Sequence, residues 1–311
     1  MVGPVDFPEK YENLMRVAQQ ALAQQNLEKA KELFTRAYEL EPTFEANSLL
    51  VYCLYELDEK QEALSQAVIH EAEYLKQEEF ATFYFDLLIG AKDWLYARKL
   101  IAATNFSDQF EHAMIEKIQQ AENFSGQLAR QKIRQTHQKL VSIAEMSPTE
   151  QLTLIGELEQ LPYHEFIQVT KKVLIRTDIH LFVRAKLLEL LVQVGESKPV
   201  AFLTIDEQLI EVVPQNLPKP AQQKSYCCLR NLAQAYENQD ALLSAGLKEE
   251  FMMQAAITYP VFDTYIGEAA KWFEGTINVY QETTETCFTE AEKAKFLAKR
   301  EKILYLMQQF L

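Results

Sequence analysis

Three short patterns recur in the first hundred residues: Asn26…Ala30…Phe34, Asp58…Ala63…Ala67 and Asp93…Ala97…Ile101. The small residue returns after 33 and then 34 positions. A period of that length belongs to stacked helical hairpins, in which each unit buries its apolar face only against its neighbours. Such a stack offers a long concave surface for gripping another chain, so the spacing speaks to a mode of action before any single side chain does. Composition points the same way, because 311 residues hold only 8 Gly and 10 Pro amid abundant helix formers.

Apolar periodicity divides each repeat into two helices. Leu14, Val17, Ala18 and Ala21 fall at three- and four-residue steps, as do Ala30, Phe34 and Ala37. Asn26 is placed to cap the second helix and Pro42 to stop it. The second unit carries Leu50, Val51 and Leu54, then Asp58 as the expected cap with Gln61 three residues on, then Ala63 and Ala67. Tyr84, Phe85 and Leu88, followed by Asp93, Ala97 and Ile101, make the third.

Beyond the repeats, Ser107 is placed to cap a helix over 108–122, and a longer helix is expected over 127–145; together they would seal the open end of the stack. Ser147-Pro148-Thr149-Glu150 reads as a capping box opening a helix to Gln160. Helices follow over 163–176 and 179–194, then two β-rich runs over 199–213 that predict a hairpin. Pro214, Pro218 and Pro220 mark a loop or hinge, after which helices resume over 221–237, 240–257, 263–282 and 289–310. The reading is an all-α chain with one small hairpin. Its expected domains are 1–126, with three helical hairpins over about 10–108 plus a capping helix, and a helical-repeat region over 127–311.

The formal net charge of −14 argues against nucleic acid as partner, since affinity for a phosphate backbone rests on Lys and Arg. The basic run Arg130–Lys139 lacks interleaved aromatics and reads as a solvated helix face. The opening residues show no signal-peptide pattern and no stretch is apolar enough to span a membrane, so a cytoplasmic protein is expected.

Chemistry is sparse. Cys53, Cys227, Cys228 and Cys287 form no C-x-x-C pair and read as structural thiols. His70, His112, His137, His164 and His180 show no metal-binding spacing, so no metal or other cofactor is expected. His70 falls in the slot that Ala37 fills in the first repeat, which makes it a helix-packing residue. Tyr163-His164-Glu165 alone gathers acid, base and hydroxyl, and it reads as a solvated first turn. Glycine-rich phosphate loops and nucleophile elbows are missing, and no enzyme is expected. Trp94 and Trp272 sit in apolar helical contexts and are assigned to the core.

These residues resemble the tetratricopeptide repeat (TPR) family, whose pattern runs W-x-x-L-G-x-x-Y, A-x-x-x-F, P. Leu14, Val17, Ala18 and Ala21 take the first-helix places, and Ala30, Phe34, Ala37 and Pro42 match the second. The second and third units lack the terminal Pro and the second-helix aromatic. The order of stack, lone hairpin and Pro-rich exit resembles that of bacterial helical-repeat proteins, which implies no activity for the second half.

In the resembled family the first helix of each hairpin lines the inner curve and touches an extended peptide. By position this implies Glu12, Met15 and Gln19, then Glu45, Ser48 and Tyr52, then Glu79, Thr82 and Asp86. The Lys, Asn and Arg set by which some members hold a terminal carboxylate is missing there. Four acids and one aromatic on a single wall instead favour a basic or apolar protein segment. The expected function is an interaction scaffold or adaptor; the alternative is a peptide-sensing regulator that signals through the hinge to the C-terminal helices. Oligomeric state is left open.

Overall fold

The computed structural model describes residues 10–128, 130–282 and 288–310. The opening segment and Cys287 lie outside the described residues, as does the side chain of His137. Backbone contacts separate the chain into two compact units, one running to Phe124 and the other from Ser125.

The first unit contains α1 (Tyr11–Ala23), α2 (Leu27–Leu40), α3 (Phe44–Glu56), α4 (Lys60–Val68), the short α5 (Glu71–Tyr74), α6 (Glu78–Ala91), α7 (Trp94–Ala103) and the start of α8 (Asp108–Leu128). The hairpins are α1/α2, α3/α4 and α6/α7. Ala30, Ala63 and Ala97 occupy the same place in each and are completely buried, where a larger side chain would hold the paired helices apart. Phe34 and Phe85 are also fully enclosed, each stabilising the core by roughly 1.5–3 kcal/mol.

One turn is built three times. Asn26, Glu59 and Asp93 donate their backbone N–H to the carbonyls of Ala21, Leu54 and Leu88, each at 2.9 Å. Gln25, Asp58 and Lys92 precede them with left-handed φ of 59°, 63° and 65°. This closes each first helix in a Schellman-type turn, and the residue after the left-handed one stands at the N-cap of the next helix. Asn26 does cap α2, its side chain accepting from Lys29 N at 3.3 Å. Asp58 does not cap α4: it is the left-handed residue itself, pairs with Lys60 at 2.8 Å, and leaves the cap position to Glu59.

The second hairpin departs from helical regularity at its end. Fully buried Asn47 donates Nδ2–H to the Gln66 carbonyl at 2.9 Å and accepts from Tyr74 Oη at 3.2 Å. With that carbonyl taken, α4 stops at Val68 and His70 N bonds one residue nearer, to Ala67 O at 3.0 Å. His70 is therefore a turn residue at the start of α5 rather than an occupant of the Ala37 slot, and its Nε2 lies 2.9 Å from Tyr38 Oη.

The second unit holds α9 (Arg130–Val141), α10 (Pro148–Leu158), α11 (Tyr163–Val173), α12 (Leu181–Gln193), β1 (Val200–Leu203), β2 (Leu209–Val212), α13 (Lys224–Tyr236), α14 (Ala241–Ile257), α15 (Phe262–Ile266), α16 (Ala269–Tyr280) and α17 (Glu290–Gln308). α8 reaches Leu128, later than the expected break. The Ser147–Glu150 capping box forms in both directions. α12 is the central helix, packed on α10, α11 and α14 and buried nearly all round from Leu181 to Leu191. The hairpin pairs antiparallel from Val200↔Val212 to Leu203↔Leu209. The Pro-rich stretch is fastened by Gln215 N to Glu196 O at 3.0 Å and Tyr259 Oη to Pro218 O at 2.9 Å. The single helix expected over 263–282 is two, split at Gly267, whose φ of 77° with ψ of −124° suits glycine alone. Trp94 and Trp272 are both core, 4 % and 2 % exposed.

Candidate functional site

The first helices of successive hairpins touch one another through side chains. Tyr11 Oη on α1 meets Thr43 Oγ1 at the start of α3 at 2.7 Å, and Phe44 on α3 packs edge-on against Phe80 of α6 at 5.2 Å. Further along, Phe83 of α6 lies 6.4 Å from Tyr52 and 5.5 Å from Tyr55 of α3. Lys117 of α8 pairs with Asp86 of α6. α1, α3, α6 and α8 thus form a continuous wall.

On that wall Glu12, Gln19, Glu45 and Glu79 are exposed, and Tyr52 keeps 42 % of its surface open. Ser48 and Thr82 are half-buried, and each donates its hydroxyl to its own helix, to Glu45 O at 3.0 Å and Glu78 O at 2.7 Å. Met15 is not on the surface. It is 5 % exposed and belongs to the core, because α1 turns the Leu14–Met15–Ala18 face inward.

The acidic character is also less uniform than the spacing implies. Glu12, Glu45 and Glu79 each stand in the first turn of a helix, where a carboxylate faces the positive end of the helix dipole. Their repetition has a local cause as well as any external one. Asp86 is balanced by Lys117, an ion pair that the pattern reading missed because its partner lies on the capping helix. Glu78 is taken up by Ser107, whose N–H and hydroxyl both reach its Oε1 at 3.0 and 2.7 Å, holding the carboxyl below its ordinary pKa. Phe83 and Tyr55 were missed too; they flank the residues chosen by family position and join Tyr52 in a half-open aromatic strip.

Behind the wall, Arg98 and Glu122 form a buried two-pronged pair at 2.7 and 3.4 Å that ties α7 to α8. Tyr84 and Tyr96 both donate to Glu71 Oε2, at 2.8 and 2.7 Å. The Tyr163-His164-Glu165 cluster is divided in use, with Tyr163 donating to Glu196 at 2.6 Å and His164 near Gln168 at 3.2 Å. Among the described residues no group of three or more His, Cys, Asp or Glu is placed to hold a metal ion, and no helix is long and apolar enough to cross a membrane. The second unit also carries an apolar cleft of about 510 Å³ between α10, α12, α13 and α14, lined by Ile155, Phe182, Tyr226 and Met252.

No family model matches the chain. Among curated proteins it is similar to the TPR repeat-containing protein YsoA of Bacillus subtilis (strain 168), 22 % identical over 266 residues, spanning 82 % of this chain and 79 % of that protein. The alignment length covers far more than the three hairpins, so the likeness extends into the second unit. Three hairpins of one period, one turn built three times and that similarity make this a helical-repeat protein whose first unit is TPR-like in fold.

Proposed function

We propose that the chain is a protein-interaction module that receives an extended segment of a partner protein along the α1/α3/α6 wall. The similarity to a TPR repeat-containing protein supports a scaffold in general. The observation that carries the finer reading is the aromatic strip of Tyr52, Tyr55 and Phe83, left half-open further along α3 and α6 from exposed Glu45 and Glu79 in their first turns. Tyrosine is among the residues enriched at binding hot spots. The partner segment is basic or apolar, since exposed acids would repel an acidic one. A cytoplasmic setting fits this role.

The test is capture of partners by the full chain, followed by affinity measurement with the captured segment. Tyr52→Ala is expected to weaken binding at least tenfold, and Glu45→Lys to weaken it and reduce its salt dependence. Asp86→Ala should matter less, because Lys117 already balances that charge. Binding unchanged by Tyr52→Ala and Glu45→Lys would place the interaction on another surface.

A further inference from the structure

The second unit contains a polar pocket of about 380 Å³ between the start of α10, the 177–181 loop, the β-hairpin and α17, and Arg184 lines it. Arg184 is 6 % exposed. Its Nη1 donates to Leu203 O at 2.6 Å, which fixes the plane of the guanidinium against the hairpin. Its Nε is buried without any acceptor, and among the described residues no carboxylate lies within ion-pairing distance. The Nε/Nη2 edge, the one that grips two oxygens at once, is thus unused by the protein itself. Burial lowers the Arg184 pKa to about 10, still well above neutrality, so the group remains charged.

A buried arginine is normally paired, and the surroundings limit what the pairing group can be. The nearest acids are Asp178 and Glu207. Asp178 is committed to Arg176, at 2.8 and 2.6 Å, and Glu207 is exposed in the hairpin turn. Their negative charge penalises a dianion such as phosphate and leaves room for a single negative charge. Lys302 of α17 also lines the pocket and is shared with Asp206 at 3.8 Å. The remaining lining is mixed, with apolar Ile179, Leu181, Ile205 and Leu306 beside polar Gln151 and His180, whose Nε2 is buried without a partner. The volume lies within the range of small-ligand sites.

We infer that this pocket binds a small monocarboxylate with an apolar tail, its two oxygens on the Nε/Nη2 edge of Arg184 and its tail against Ile179, Ile205 and Leu306. The ligand is either a free branched-chain acid or the C-terminal residue of a peptide, which present the same chemistry.

The experiment is a titration of the full chain, ¹⁵N-labelled at arginine, following the Arg184 Nε–H resonance assigned by loss in Arg184→Lys. Probes are isovalerate, N-acetylleucine, N-acetylleucinamide and inorganic phosphate. A saturable shift with isovalerate or N-acetylleucine, none with the amide and at least tenfold weaker binding of phosphate are expected; the tighter acid identifies the source. Should Arg184→Lys not fold, Lys302→Ala on the exposed mouth supplies the second variant, with binding weakened about threefold. No shift with either acid, or an equal shift with the amide or with phosphate, would overturn the inference.

Discussion

Single residues in this chain carry strain and titration that the helices around them hide. Gln25 adopts a left-handed conformation that costs a non-glycine residue roughly 1–2 kcal/mol. Gln25→Gly is therefore expected to stabilise the protein by about 0.5–1 kcal/mol, after the extra entropy of glycine in the unfolded chain, and to raise the denaturant midpoint. His180 works in the opposite sense. Its Nδ1 accepts from Phe182 N at 3.1 Å at the start of α12, and burial pushes the imidazole down from 6.5 to about 4, with Arg184 adding to the effect. Between those values the unfolded chain takes up a proton that the folded chain refuses. Stability is thus whole above pH 6.5 and falls as acid is added towards pH 4, by as much as about 3 kcal/mol. In His180→Asn, which keeps a capping side chain, the drop in unfolding free energy from pH 7 to pH 4.5 should shrink by about 2 kcal/mol in urea titrations.

At the level of elements, the tight crossings within each hairpin are the most sensitive points. Ala30→Leu forces a branched side chain into a fully closed position between α1 and α2, and a loss of about 1–3 kcal/mol is expected in equilibrium unfolding. Helices with one apolar face, such as α1 and α2, were legible because period and burial coincide. α12 was found, but its central place was not, since a helix buried on all sides announces no direction. The early end of α4 was invisible because Asn47, nineteen residues before Gln66, takes a helix carbonyl that only tertiary structure brings near. Gly267 broke a continuous apolar pattern by backbone conformation, which periodicity does not register.

For the molecule as a whole, the fold class and the repeat period were written in spacing, whereas the site was written only in part. Family position picked residues of α3 and α6 of which several lie exposed, Tyr52 among them, yet it admitted Met15, which the rotation of α1 sends inward, and it passed over Phe83 and Lys117. Arg184 escaped notice altogether, since an arginine in a leucine-rich helix looks like one solvated position until the hairpin closes over it. The thrice-built turn has a consequence for how such a chain can change. Because the last carbonyls of one helix are claimed by the first residues of the next, there is no slack in which to absorb a change of length. One residue inserted between Ala23 and Leu27 would break the Asn26 N–H to Ala21 O bond that sets α2 against α1, so each of these turns tolerates a change of side chain more readily than a change of length.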